Sequence, residues 1–565
     1  MCIVMDTVVK NILQFLQKEV SNIHKAAYLL GFFALCSQLL ALVRDKLLAY
    51  TFGATTSLDL YYAAFRIPDF LFVTVGSLVS LSILIPFLAA EYEKGEEQSR
   101  AFIDSVFTFF LLAIIFVSGV VYYFAPFLIG KLFPGFDAQS QNTVLLLMRP
   151  LLLSPILLGI SNLFGSLTQS KNRFYVYAMS PLLYNVGIIL GTLILYPKFG
   201  IVGLAWGVVL GALLHLLIQV PTIAHLKLLP RLTVRPNFSF IRKVTFLSFP
   251  RTITISISNI AIFFIISLAS FMTAGSISVF TFAFNLQSVP LSIFGVSYSM
   301  AAFPALSRLS ALGDTEGFRA QFLTSAQHVL FWTVPASVLF IVLRAHIVRV
   351  VLGAGNFSWN DTRLVAATLA LFSISIVMQS LILLFVRGLY AKGSTGKPFY
   401  ITVFSGIVMV VFSKMLVTLF NTVPTFRFFI EELLKISDVS GTQVTMLALG
   451  FALGSILEGI LMWMLFTRVC SGFTKPLLST LFRIFSASVV LGFITFVSLR
   501  FFNQFWSLET FTGVLAQATF SALCGTAVGL FVLWLLKSPE LKDISATLHQ
   551  KIWKVKVVSP DSELV

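Results

Sequence analysis

The chain has 565 residues, 58% of them hydrophobic and only 11% charged, with a formal net charge of +16. Soluble domains run at about 45–50% apolar and about 25% charged residues, so a soluble enzyme, a disordered chain and a secreted disulfide scaffold are excluded. The composition is that of a polytopic membrane protein.

Residues 1–25 are too polar for the apolar stretch of a signal peptide. Val8, Val9, Ile12, Leu13 and Leu16 recur there at helical spacing opposite Lys10 and Lys18, which predicts an amphipathic helix on the cytoplasmic membrane surface. A membrane-spanning helix takes about 20 mostly apolar residues, and that ruler finds roughly fourteen. They fall near 26–51, 59–90, 101–125, 144–170, 176–197, 200–226, 243–271, 275–305, 321–343, 360–390, 399–420, 442–468, 478–500 and 510–537. These runs are far longer than the roughly 10-residue alternating strands of an outer-membrane barrel. The predicted fold class is therefore an all-α polytopic membrane protein.

With the N-terminus inside, the loops that fall in the cytoplasm hold roughly 25 Lys and Arg against roughly 8 outside. They include Lys171/Arg173, Lys227/Arg231/Arg235/Arg242/Lys243, Lys392/Lys397 and Lys551/Lys554/Lys556. Both termini are expected in the cytoplasm, and the basic charge is topological, which removes nucleic acid as a partner. Cys2, Cys36, Cys470 and Cys524 form no C-x-x-C pair, and the six histidines have no metal-ligand spacing. No metal or cofactor is expected. There is no G-x-x-x-x-G-K-[ST] loop and no nucleophile or acid–base constellation. The chain reads as a transporter, not an enzyme, driven by an ion gradient, the membrane potential or substrate mass action.

The chain repeats itself at a displacement of about 220 residues. F-G-A-T-T-S (52–57), A-F-R-I-P (64–68), Pro86 and E-K-G-E-E-Q-S-R-A-F (93–102) are followed in the same order by T-A-G-S-I-S (273–278), F-N-L-Q-S-V-P (284–290), Pro304 and L-G-D-T-E-G-F-R-A-Q-F (312–322). This predicts two six-helix lobes in pseudo-repeat, 26–226 and 243–468, joined by a basic cytoplasmic linker, 227–242. Two further helices over 469–537 and a cytoplasmic tail over 538–565 complete the chain.

Charges inside a bilayer are expensive and usually face a cavity. Those in or beside the spans are Arg44, Lys46, Arg66, Arg149, Arg251 and Lys414, with Asp45, Asp59, Asp69 and Glu458. Two readings of the first two helices stand. In one, Arg44 and Asp59 belong to a hydrated cationic chamber able to hold a phosphate or pyrophosphate, for which arginine offers a planar fork of donors. In the other, Arg44, Asp45 and Lys46 end a short first helix at the interface. Arg251 either faces the same chamber or snorkels to the cytoplasmic surface. Lys414, near mid-span, is expected to face a cavity or pair with an acid such as Glu458. Arg149, before a proline, is expected to anchor a helix end.

V-R-D-K-L-L-A-Y-T-F-G-A-T-T-S-L-D-L-Y-Y-A-A-F-R-I-P-D (43–69) and P-F-L-A-A-E-Y-E-K-G-E-E-Q-S-R-A-F (86–102) resemble the first-to-second-helix signature, and the loop after it, of the MurJ (MviN) lipid II flippase family, in the multidrug/oligosaccharidyl-lipid/polysaccharide exporter superfamily. L-F-G-S-L-T-Q-S-K-N-R-F (163–174), S-P-L-L-Y-N (180–185) and R-G-L-Y-A-K-G-S-T-G-K-P (387–398) are similar to further blocks in order. The resemblance implies a two-lobed bundle of fourteen helices with a central cationic cavity, whose last two helices help form a groove for a lipid tail. The implied activity moves lipid II, an undecaprenyl-pyrophosphate-linked disaccharide-pentapeptide, from the inner to the outer leaflet of the bacterial cytoplasmic membrane for peptidoglycan synthesis. Implied partners are lipid II, membrane lipids and the peptidoglycan synthesis machinery. Arg44, Asp45 and Asp59 match charged family positions, and Arg44 is expected to contact the pyrophosphate. The full set of expected substrate-binding residues is Arg44, Asp45, Asp59, Arg66, Arg251, Lys414 and Asn285. Family charges are replaced by Gln38, Phe72, Ser77, Phe284 and Asn285. These departures keep open an alternative, an exporter of another lipid-linked glycan or an amphipathic small molecule on the same fold, with a non-transporting scaffold or a membrane transferase as more distant possibilities.

Overall fold

A computed structural model describes residues 19, 23–76, 84, 87–88, 91–93, 95–394, 396–507, 510–543 and 545; the side chains of 23–28, 243, 247–251, 253–256 and 258 lie outside what is described. Nearly all of the predicted amphipathic segment 1–25, most of the tail 538–565, and Ser77 and Pro86 also lie outside the described residues.

The described residues form helices and no strands. In chain order the principal helices are α1 (Ile23–Phe52), α2 (Thr56–Gly76), α3 (Glu96–Leu132), α4 (Ala138–Leu151), α5 (Leu153–Ser170), α6 (Phe174–Leu190), α7 (Ile201–Leu217), α8 (Phe238–Ala269), α9 (Ser276–Pro290), α10 (Ser297–Ala311), α11 (Thr315–Val342), α12 (Arg344–Leu352), α13 (Trp359–Ser373), α14 (Ile376–Ala391), α15 (Gly396–Thr422), α16 (Pro424–Leu434), α17 (Val444–Val469), α18 (Thr474–Phe502) and α19 (Phe511–Leu535). Among the described residues, ten helical runs are long and apolar enough to cross a bilayer, and α13 with α14, bent by 43° at their break, makes an eleventh. α1, α2 and α8, outside that count, lie where the first, second and seventh spans were expected. The stretch 421–441, between two predicted spans, holds an additional helix, α16.

The chain divides into two compact units. The first comprises 1–285, 351–368 and 399–454. In it, α6 and α7 cross on glycine: a Cβ on Gly187 would land on the Gly211 Cα, and one on Gly207 on the Gly191 Cα. Lipid tails give helices no hydrophobic reason to associate, so close backbone approach through small residues supplies the attraction. Gly207→Leu is therefore expected to separate α6 from α7 and remove the folded protein from the membrane fraction, whereas Gly119→Leu, where no atom lies within 4 Å of the added Cβ, leaves its level unchanged; quantitative immunoblotting of membranes compares the two. The segment after Leu226 runs along α3, with the backbone N–H groups of Arg231, Thr233 and Asn237 donating to Asp104 Oδ1 (2.8 Å), Thr108 Oγ1 (3.0 Å) and Ser105 Oγ (3.0 Å). An irregular chain has no ladder to satisfy its donors, and these side chains supply the acceptors.

The second unit comprises 286–350, 369–398 and 455–565. Pro290, which brings no N–H to the helix, is followed by a wide π turn over Leu291–Val296 before α10 begins. α18 and α19 pack on each other, with Gly525 and Gly529 against Leu491, and α11 packs on α18. Beyond α19, the Glu540 carboxylate accepts from Arg483 Nη2 (2.9 and 3.1 Å), Thr480 Oγ1 (3.0 Å) and Ser538 Oγ (2.6 Å), tying the start of the tail to α18. Large apolar side chains are widely exposed, among them Phe116, Tyr123, Phe127, Phe482 and Phe493, as a protein bathed in lipid requires.

Candidate functional site

A helix buried on several sides reveals little about which side chain points where, so the site emerges only from packing. In the first unit five helices line one cavity of about 290 Å³. α1 contributes Arg44; α2 contributes Tyr61, Tyr62, Phe65, Arg66 and Asp69; α6 contributes Tyr184 and Ile188; α8 contributes Ile262; α9 contributes Phe280, Thr281, Phe284 and Asn285. The α2 residues fall at i, i+1, i+4, i+5 and i+8, which is one helical face.

Arg44 is held from two sides. Its Nε and Nη2 donate to Asp45 Oδ1 at 3.0 and 2.8 Å, and its Nη1 donates to Asn185 Oδ1 at 3.0 Å. The other carboxylate oxygen of Asp45 accepts from Asn285 Nδ2 at 3.0 Å. Asn185 is itself anchored through its amide to Pro181 O at 3.1 Å and Ser37 Oγ at 3.4 Å. Asp45 is 3% exposed and stands behind Arg44, whose guanidinium is on the cavity wall. Arg66 donates from Nη2 to Thr281 Oγ1 at 3.3 Å, and Asp69, an exposed side chain, lines the same cavity. The charged residues on the wall are Arg44, Arg66 and Asp69, with Asp45 buried behind Arg44.

Asp59 does not line this cavity. It is 4% exposed and caps the start of α9, accepting from Gly275 N–H on Oδ2 (2.7 Å) and from Ser278 N–H (2.7 Å) and Oγ (2.6 Å) on Oδ1. A carboxylate at a helix N-terminus satisfies otherwise orphaned donors and meets the positive end of the helix dipole. Gly275, at φ 90°, brings its backbone so close to the Ala54 carbonyl that a Cβ would collide with it.

Of the other expected residues, Lys414 is exposed on α15 and does not line this cavity. Arg251 lies on α8, but its side chain lies outside the described residues. Arg149 is exposed with its guanidinium 5.1 Å from the Tyr122 ring centroid, inside the helical run Ala138–Ser170. Phe284 stacks on Phe280 (6.2 Å, 7°) and meets Phe451 edge-on (5.5 Å, 89°). Sequence reasoning missed Asn185, Tyr184 and the tyrosines of α2. Asn185 had a signal, a lone amide at the end of S-P-L-L-Y-N within an apolar run.

The family model described as "Lipid II flippase MurJ" matches residues 48–518. A "Probable lipid II flippase MurJ" of Thermotoga maritima is 29% identical over 485 residues, covering 80% of this chain and 97% of the relative. Among solved structures, one titled "Lipid II flippase MurJ, inward closed conformation" superposes with a TM-score of 0.71 at 22% identity, covering 93% of this chain and 100% of the other. An inward-facing MATE family transporter of the MOP superfamily superposes with a TM-score of 0.63 at 14% identity, covering 78% and 96%. At these identities the structural likeness speaks for the fold.

Proposed function

The chain belongs to the lipid II flippase MurJ family, and from that premise we propose that it carries lipid II from the inner to the outer leaflet by alternating access, without covalent chemistry. The observation that supports this most is the Arg44–Asp45 pair, presented with its guanidinium toward the cavity and its carboxylate behind. A guanidinium fixed in place offers a pyrophosphate a donor plane that need not be reorganised on binding. The pyrophosphate and sugars enter the cavity from the cytoplasmic side, meet Arg44, and leave outward when the helices rearrange. The prenyl chain stays in lipid beside α18 and α19, so only the head group is shielded from hydrocarbon. Asp45, Asn185 and Asn285 orient Arg44; Asp59 braces α2 to α9. The charge asymmetry supports a topology with both termini in the cytoplasm. An ion gradient or the membrane potential drives the cycle, and a ligand shifts it only through unequal affinity for the two states.

A second reading, export of another lipid-linked glycan or an amphipathic small molecule, is favoured by the phenylalanine at 284 and the amide at 285 on the cavity wall. One experiment separates the two. In cells whose only lipid II flippase is this protein, lipid II accessible at the outer leaflet is measured with a membrane-impermeant probe. Outer-leaflet lipid II at a level that sustains growth is expected; its absence, with the protein inserted at a normal level, favours the second reading.

A further inference from the structure

α16 lies in the connection between α15 and α17 and is too short to cross a bilayer: its eleven residues make a helix about 16 Å long, against a hydrocarbon core of about 30 Å. Pro424 in its first turn and Lys435 at φ 59° behind its last turn set its ends. One side is fastened to the protein. Ile430 and Leu434 are buried, and Glu431, 2% exposed, accepts from Arg427 Nε (2.9 Å) and Thr442 Oγ1 (2.6 Å). Just beyond the helix, Arg363 of α13 donates from Nη1 to Asp438 Oδ2 (2.7 Å) and from Nη2 to the Lys435 carbonyl (2.6 Å). These bonds fix the opposite side outward, and it carries Phe428, Phe429 and Leu433, which are 62, 63 and 60% exposed. A helix on a water-facing surface turns such side chains inward; α16 buries a carboxylate and shows its phenylalanines.

What covers that face follows from the helix before it. On α15, long and apolar enough to cross a bilayer, Phe404, Ile407, Val411, Met415 and Leu419 are exposed at steps of three and four residues, which is a single lipid-facing stripe. Val423, four residues past Leu419 and 38% exposed, carries the stripe over the end of α15 to α16. Lys414 flanks the stripe two turns before that end, where a lysine lays its stem along the helix toward the head groups. We propose that α16 is an interfacial anchor: Phe428, Phe429 and Leu433 sink into the leaflet at the boundary between acyl chains and head groups, and the partner of this face is phospholipid. Glu432, exposed one turn from Phe428, keeps the helix at that boundary, since a carboxylate is costly in hydrocarbon. In the topology proposed above the leaflet is the outer one. The anchor holds the end of α15 and the start of α17 at one depth, whatever the cargo.

The test uses the full-length protein lacking its four native cysteines, with one new cysteine in each variant, labelled with a nitroxide and reconstituted in nanodiscs of phosphatidylethanolamine and phosphatidylglycerol. Power saturation compares collisions with oxygen, which concentrates in the bilayer, and with a water-soluble nickel chelate. Two positions calibrate the scale: oxygen is expected to prevail at Val411→Cys, on the α15 stripe, and the chelate at Ser437→Cys, in the exposed turn past α16. Phe428→Cys, Phe429→Cys and Leu433→Cys are expected to side with Val411→Cys, with oxygen exceeding the chelate severalfold and a depth of about 5–10 Å. All of these substitutions fall on exposed or half-buried side chains, so thermal stability is expected near that of the cysteine-free parent. Ratios like that of Ser437→Cys at all three α16 positions overturn the anchor, because the helix then stands in water. Low accessibility to both reagents overturns it in favour of a protein partner on the same face.

Discussion

Arg44→Gln is expected to abolish outer-leaflet lipid II in cells that depend on this protein, and to do so through two separable effects. The first is on the fold. Asp45 is 3% exposed and has Arg44 as its counter-ion; removing one partner of a buried pair costs about 3–5 kcal/mol, because the remaining charge is left uncompensated. That is a large fraction of the stability of a typical domain, so the single variant is expected at reduced level. Asn285 still donates to Asp45 Oδ2, which limits the loss. The second effect is on transport. In Arg44→Gln/Asp45→Asn the buried charge is gone, and an amide pair can exchange a hydrogen bond in the space of the ion pair, so protein level and thermal stability are expected to recover. Transport is not expected to recover, since no cation faces the head group from α1. Arg44→Lys keeps the charge but loses the planar fork that spans Asp45 and Asn185, and is expected to fold normally while transporting about tenfold more slowly. Leaflet-specific lipid II accessibility, normalised to protein level, is the readout. Recovery of transport in the double variant would show Arg44 to be a structural member of the pair and nothing more.

These expectations depend on a cavity that was only partly legible in the sequence. Helix positions were readable because a span is a matter of length and apolarity: the bounds of α15, α17, α18 and α19 fall within a few residues of those expected. Arg44 and Asp45 were readable because charges in a span are too costly to be incidental. Asn285 was readable by its departure from the family pattern, although its bond to Asp45 was not. Helix rotation was not readable, because it is set by packing against neighbours, and that is where Asp59 and Lys414 parted from expectation. Asp59 precedes Arg66 by two turns on α2, yet it turns beneath the first turn of α9. Lys414 sits at mid-helix in α15, yet on an exposed face. α16 was hidden for a different reason. Its Ile430 and Leu434 are buried while Phe428, Phe429 and Leu433 are exposed, so its eleven residues carry too little apolar length to register as a span and too many apolar residues to read as a loop.

The location of Asp59 leads to the second large effect. Its carboxylate gathers three donors from Gly275 and Ser278, and so fastens the start of α2 to the start of α9. In the topology proposed above both ends lie on the outer side, and the starts of both helices belong to one compact unit. On the alternating-access reading this brace forms when the outer side is closed and breaks when it opens. Hydrogen bonds to a charged group contribute about 1.5–3 kcal/mol each. Asp59→Asn keeps one acceptor oxygen for Ser278 but turns an amide N–H₂ toward the Gly275 N–H, two donors face to face. A loss of about 2–3 kcal/mol from the closed state alone shifts the closed-to-open ratio by about 30- to 150-fold. Ser278→Ala removes a single donor and is expected to shift it by only a few-fold. The measurement uses Ile188→Cys, a cavity-lining position, in a background lacking the four native cysteines, with a membrane-impermeant thiol reagent added to intact cells. Labelling is expected to be slow with Asp59 present, faster in the Ser278→Ala background and fastest with Asp59→Asn, while lipid II transport falls as labelling rises. Equal labelling in all three at equal protein level would mean that Asp59 stabilises the fold in both states, and the closing contact would have to be sought elsewhere along α2 and α9.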